Sequence, residues 1–122
     1  GDTNPLSLTL DPDQTFFLSS SEFNISAYFE DVGRNEGITG ADITVEVDGN
    51  PYTPEIWDNG NGYYNITIDC DHNVFFNLGY GNVTIEVFAN KAFYENQSST
   101  SDVDILGDTS VDVAKIPDKT ES

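Results

Sequence analysis

The sequence predicts an all-β fold, with two antiparallel sheets packed face to face as a sandwich of about seven strands. Three observations predict it. Apolar and polar residues alternate with a period of two along most of the chain. Clusters of Gly, Asn, Asp and Pro punctuate these runs at about the 8–12-residue spacing of sandwich strands. No segment sustains the apolar stripe of a helix.

Each run carries one face fit for a core and one fit for water, the mark of sheets with a single solvated side. Leu6, Leu8 and Leu10 alternate with Ser7 and Thr9, and Phe16–Leu18 is a short second piece. Phe23, Ile25, Ala27 and Phe29 alternate with Asn24, Ser26, Tyr28 and Glu30. Ile43, Val45 and Val47 alternate with Thr44, Glu46 and Asp48. A run from Tyr52 to Trp57 leads to Tyr64, Ile66 and Ile68, which alternate with Asn65, Thr67 and Asp69. Val83, Ile85, Val87 and Ala89 alternate with Asn82, Thr84 and Glu86, with Phe88 the exception on the polar face. Val103 and Ile105 alternate with Asp102 and Asp104. Asp48-Gly49-Asn50-Pro51 reads as a hairpin turn followed by an edge proline. Asp58-Asn59-Gly60-Asn61-Gly62 reads as a second turn, Gly33 to Gly40 as a longer polar loop, and Leu78-Gly79-Tyr80-Gly81 as the corner into the sixth strand. Trp57, Tyr63 and Phe75 are expected to fill the middle of the sandwich.

The 122 residues fit one domain with a core large enough to fold independently. There are 22 acidic residues against 4 basic ones, a formal charge of −18. Such a surface repels nucleic acid and anionic lipid headgroups. It suits high salt, divalent cations or cationic partners, or it serves solubility alone. Cys70 is the only cysteine, so no disulfide can form within the chain. Methionine is absent, as expected of a processed chain or an excised piece. No apolar run approaches about 18 residues, so no membrane span is expected.

The opening of the chain recurs near its end. Gly1-Asp2-Thr3 returns as Gly107-Asp108-Thr109. With the offset relaxed by one, Leu6 falls on Val111, Leu8 on Val113 and Pro12 on Pro117. A period of roughly 105 residues is the size of one sandwich domain. The division is a domain over residues 1–106 and a segment over 107–122 that repeats the first strand. That segment belongs to a following repeat or is a strand donated to a neighbour. Leu6, Leu8, Leu10, Val111, Val113 and Ile116 are then the residues that join subunits.

The run from Phe23 to Asp31, then Gly37-Ile38-Thr39-Gly40-Ala41, Val47-Asp48-Gly49, Gly60-Asn61-Gly62-Tyr63-Tyr64-Asn65-Ile66 and Tyr94-Glu95-Asn96 resemble immunoglobulin-like repeats of large prokaryotic surface proteins. The resemblance covers nearly the whole chain. Its motifs are turn and core signals, which specify fold better than activity. It implies an extracellular stalk, adhesin or filament and supplies no catalytic set.

Four N-glycosylation acceptors occur, at Asn24, Asn65, Asn82 and Asn96. The first three fall on the polar phase of their strands, where a sugar is tolerated. Asn, Ser and Thr are common here, so chance alone supplies some of these motifs. Asp69, Asp71 and Asn73 sit at alternate positions and would share a face in extended chain, within reach of one calcium ion. The glycine and distal glutamate of a calcium loop are missing, and a solvated turn is the preferred reading. Asp11, Asp13, Asp102, Asp104 and Asp108 gather acid at the repeat boundary, where calcium would stiffen the join. Cys70 and His72 would point the same way on a strand. Nucleophilic catalysis also needs an orienting group and an oxyanion site, and zinc needs more ligands, so a buried thiol and a surface histidine are preferred. Lys91, beside Asn90, has the residue type for a lysine–asparagine cross-link, but reads better as a lysine snorkelling at a strand end.

These features predict a non-enzymatic, extracellular, cell-surface unit of a filament, stalk or array. Its partners are copies of itself or adjacent repeats joined head to tail, with glycans a further option and no nucleic acid. No cofactor is required beyond optional calcium. The alternative is an adhesin-type module that grips carbohydrate or protein through the loops Asp31–Thr39 and Asp58–Tyr63, with Tyr28, Tyr63 and Phe88 as a platform.

Overall fold

The computed structural model describes residues 4–107. Its strands are β1 (Leu6–Asp11), β2 (Phe16–Leu18), β3 (Glu22–Asp31), β4 (Glu36–Gly37), β5 (Asp42–Val47), β6 (Asn50–Tyr52), β7 (Glu55–Asp58) and β8 (Tyr63–Asp69). A short helix α1 (Asn73–Asn77) follows, then β9 (Gly81–Asn90) and β10 (Gln97–Leu106). One sheet has the order β1-β3-β8-β7, with β4 added to the end of β3; the other has the order β2-β10-β9-β5-β6. With the principal strands lettered in chain order, these are the ABED and GFC sheets of an immunoglobulin-like sandwich, extended by a C′ strand. The all-β sandwich predicted from alternation is the fold observed.

The expected count of about seven strands becomes ten among the described residues. The extra ones are two to four residues long, too short to display a period. The expectation of no helix also changes. Asn73–Asn77 makes little more than one turn, and no apolar stripe can develop in five residues. His72 caps it, its Nδ1 accepting from the Val74 N–H at 3.1 Å. Phe75 is the residue that α1 buries. The corner into β9 forms as read, with positive φ at Gly79, Tyr80 and Gly81.

The register places the alternation correctly. Ile25, Val45, Ile66 and Ile85 are at most 2% exposed. Their neighbours Asn24, Glu46, Asn65 and Glu86 face outward but are half-buried, because each lies on a strand flanked on both sides. Two tyrosine hydroxyls fasten the framework. Tyr64 donates to the Ile38 carbonyl at 2.6 Å and accepts the Ala41 N–H at 3.0 Å. Tyr52 of β6 accepts the Asp69 N–H at 2.9 Å, tying one sheet to the other. Phe17 and Phe23 stack across the sheets with centroids 3.9 Å apart. Trp57 and Tyr63 do not fill the middle. Ile56 pairs with Ile66 and points inward, so Trp57 points out, opposite Asn65. Tyr63 lies out of phase with inward Tyr64.

The described residues begin and end at opposite poles. Leu6 pairs with Phe29, and Asn4 Nδ2 donates to the Glu95 carbonyl at 2.7 Å, just before β10 begins. Strand β10 then runs ten residues, roughly 30 Å at strand rise, and ends with Leu106 paired to Leu18.

Ile85→Ala should lower the unfolding free energy by about 2–5 kcal/mol, through lost burial and an unfilled cavity. Glu86→Ala should stay within about 0.5 kcal/mol of wild type, because Glu86 faces outward opposite Glu46, a like charge whose removal offsets lost packing. Urea unfolding of the two variants tests the register, and equal losses from both would overturn it.

Candidate functional site

Cys70 and His72 part company. Cys70 ends the inward phase of β8 and is fully buried, while His72 turns out to cap α1 and rests its ring edge-on against Tyr52 at 4.7 Å. Burial pushes the Cys70 thiol up to about 11, against a smaller lowering effect of a hydrogen bond with Ser21. A thiol held protonated and out of solvent is no nucleophile near neutral pH. The two side chains do not share a face, because the strand stops at Asp69.

The same stop disposes the acidic triplet. Asp69 Oδ1 accepts the Asp71 N–H at 3.0 Å in a turn, and Asn73 begins the helix. The extended backbone that would align Asp69, Asp71 and Asn73 is therefore interrupted. Of the boundary aspartates, Asp104 accepts from Asn82 Nδ2 at 3.2 Å and Asp102 from the Thr84 hydroxyl at 2.7 Å. Asp11 ends β1, Asp13 lies in the following turn, and Asp108 lies outside the described residues. No group of three His, Cys, Asp or Glu side chains suited to a metal converges among the described residues.

The loops Asp31–Thr39 and Asp58–Tyr63 are brought together and locked. Asp58 accepts from the Gly40 N–H at 2.9 Å and from the Gly60 N–H at 2.8 Å. Gly37 and Gly62 cross so closely that a Cβ on Gly37 would overlap the Asn61 carbonyl. Lys91 reaches the same loop, its Nζ donating to the Thr39 carbonyl at 2.6 Å, so its charge holds a backbone acceptor rather than a cross-link to Asn90. Tyr94 fastens the first loop from the other side, its hydroxyl donating to Asp31 at 2.9 Å. The chain has only 4 Lys and Arg residues against 22 carboxylates, so few cations are to spare. Arg34 makes the ion pairs seen among the described residues, 3.8 Å from Asp31 and 3.9 Å from Glu36.

An aromatic outer face forms on β3, β7 and β8; sequence reasoning paired Tyr28 with Tyr63 as a platform but missed Trp57 beside them. Trp57 is 70% exposed and Tyr63 42% exposed, and Tyr63 stacks on Tyr28 with centroids 4.3 Å apart. Asn24 and Asn65 occupy this face, and Asn24 Oδ1 accepts the Thr67 hydroxyl at 3.0 Å. The available signal was Ile56: in a two-residue period an inward Ile56 forces Trp57 outward. Phe88, the third residue of the expected platform, lies half-buried on the opposite sheet, away from Tyr28 and Tyr63. Leu6 is buried and Leu8 and Leu10 are half-buried in β1, within their own domain. Val111, Val113 and Ile116, with the whole 108–122 segment, lie outside the described residues.

No known protein family matches the chain. No curated protein matches it in sequence. Among solved structures, an endo-β-1,4-mannanase from Thermotoga petrophila is similar over 85% of this chain, with a TM-score of 0.57 and 12% identity; the match spans 20% of the mannanase chain. The titin M3 domain is similar over 86% of this chain and 98% of its own, with a TM-score of 0.50 and 15% identity. At such identities the likeness is one of fold, and the titin domain supports the immunoglobulin-like sandwich. This chain spans about a fifth of the mannanase, so that enzyme's activity is not carried over.

Raising pH should expose the state of Cys70. Its raised value means the folded state keeps a proton that the unfolded chain releases from 9.0 upward. Its stabilising contribution is complete below pH 9 and declines as pH rises toward about 11. Cys70→Val should flatten that decline, and a thiol reagent should label native protein only after unfolding. Rapid labelling of the native chain at pH 7 would contradict the burial. Sodium chloride should raise the melting temperature by screening the −18 charge. Calcium at equal ionic strength should do no more unless the boundary aspartates bind it, and the comparison of the two salts decides.

Proposed function

We propose that this chain is a non-enzymatic structural unit of an extracellular, cell-surface filament, stalk or array, joined head to tail to copies of itself or to adjacent repeats. One observation carries the reading. The described chain enters at one pole of an elongated sandwich and leaves at the other. Units so threaded extend when connected, whereas units with adjacent ends fold back.

Further features support it. Both poles expose apolar side chains of the kind a neighbour covers: Phe93 in the turn at the first pole, and Leu18 and Leu106 at the second. β1 already fills the place beside β3, so under this proposal a strand like β1 supplied by Val111–Ile116 would pair in the next unit. The loops required by a binding module are tied to each other through Asp58 and the Gly37–Gly62 crossing, which favours a supporting role over gripping a ligand there. The prokaryotic surface repeats that the sequence resembles belong to the same reading. The acidic surface keeps such an array soluble and suits calcium or high salt as its medium.

Three copies expressed in tandem should form a rod in small-angle scattering, with the maximum dimension growing by about 30–40 Å per copy, the length of a ten-residue strand with its turns. A dimension that barely grows would overturn the extended arrangement. Sedimentation of the 122-residue chain beside one ending at Gly107 tests the join. The shorter chain should stay folded and lose self-association. Unchanged association would sink strand joining.

A further inference from the structure

Trp57 is the chain's one tryptophan, and it stands largely uncovered on a sheet face. Its cross-strand partner in β8 is Asn65, the first residue of the acceptor Asn65-Ile66-Thr67. Tyr63 precedes Asn65 by two residues and Thr67 follows by two, so all three lie on one face. Directly opposed side chains stand about 5 Å apart at Cβ, and diagonal ones about 7–8 Å. Trp57 and Tyr63 thus flank the Asn65 amide within reach of anything attached to it. A shallow hollow of 320 Å³ opens there, lined by Glu55, Ile56, Trp57, Asn65 and Thr67.

The other strand acceptors differ. Asn82 uses its amide nitrogen on Asp104, and Asn24, whose oxygen accepts the Thr67 hydroxyl, is opposed across the strands by Asp11 and Thr67 rather than by a ring. The Asn65 amide makes no such hydrogen bond among the described residues. A pyranose ring carries an apolar C–H face and a hydroxylated edge, the same division as the surface it would cover: indole and phenol rings beside amide, hydroxyl and carboxylate. It is uncharged, so the −18 chain does not repel it as it would an anionic partner.

We propose that Asn65 carries an N-linked sugar whose first ring lies in this hollow against Trp57. The proposal rests on the extracellular reading above, because transfer needs export past a glycosyltransferase. The bond that forms joins Asn65 Nδ2 to the anomeric carbon of a glycosyl diphosphate donor. The bond from that carbon to the diphosphate oxygen breaks, and the diphosphate leaves with the electron pair. The amide gives up one proton, and nothing is oxidised or reduced. Trp57 is then exposed in the bare polypeptide because its cover is added after synthesis.

The test begins with peptide mapping of the protein from its own cells, with peptide-N-glycosidase used to convert a modified asparagine to aspartate. Asn65 should be modified. Trp57 fluorescence then reads the stacking. Enzymatic removal of the sugar should shift its emission to the red and increase quenching by acrylamide. Asn65→Gln and Thr67→Ala should reproduce the stripped state, and Thr67→Ser, which keeps the acceptor, should retain sugar and protection. Circular dichroism separates these effects from misfolding. Sugar at Asn24, Asn82 or Asn96 with Asn65 bare overturns the proposal and leaves the extracellular reading standing. An unmodified protein recovered from the cytoplasm overturns both. Sugar on Asn65 whose removal leaves Trp57 quenching unchanged overturns the stacking. Saturable quenching of the unmodified chain by free oligosaccharide would make the hollow a binding site instead and also overturn the proposal.

Discussion

Two sheets held face to face without a disulfide must be closed by the side chains between them. Cys70 has no partner in the chain, so the covalent pin that many immunoglobulin domains place between their sheets is absent here. Its work falls to aliphatic side chains from the five central strands β3, β8, β10, β9 and β5, each stabilising the fold by about 1.5–3 kcal/mol when fully buried. Everything else follows from that seam. The turns hold the strands at the spacing the seam requires, the Tyr52 and Tyr64 hydroxyls satisfy backbone groups at its edges, and Phe17 stacked on Phe23 closes one end.

Hydrophobic closure also explains how the chain tolerates its charge. Charged groups stay on the outer faces and loops, where water screens them. Repulsion between Glu46 and Glu86 on adjacent strands is a matter of tenths of a kcal/mol in that setting. Two carboxylates with structural roles act through backbone N–H groups rather than cations: Asp58 joins two loops and Asp48 receives the Thr84 N–H at 2.7 Å. Acidity here is compatible with stability because the fold asks little of ion pairs.

The two sheet faces that look outward are chemically unlike. The β5–β9–β10 face is acidic and hydroxylated, with Glu46, Glu86, Asp102 and Thr84 along it. The β3–β8–β7 face carries aromatic rings among amides and hydroxyls. On the proposed head-to-tail reading, the poles serve connection and the faces meet solvent. The aromatic face is the part that this reading does not account for, and the proposed sugar on Asn65 would cover it, using residues already on that face.

The sequence by itself determined the sandwich, because a two-residue period carries the inside-or-outside choice locally. Ile25, Val45, Ile66 and Ile85 could be placed in the core before any pairing was known. The turns were legible for a similar reason: Asp48-Gly49 and the 58–62 cluster contain the residues that positive φ requires. Tertiary structure decided what alternation could not. Trp57 lies near a strand end, where a shift of one residue reverses the face, and only pairing of Ile56 with Ile66 fixed its phase, whereas Tyr63 already stood out of phase with Tyr64, Ile66 and Ile68. Asp69, Asp71 and Asn73 depend on where β8 stops, and that stop depends on packing Phe75 beneath a one-turn helix. The meeting of Trp57 with Asn65, distant in function though only eight positions apart in sequence, was set by the register of one short strand. Local period fixes which way a side chain faces, and only the partner strand fixes what it meets there.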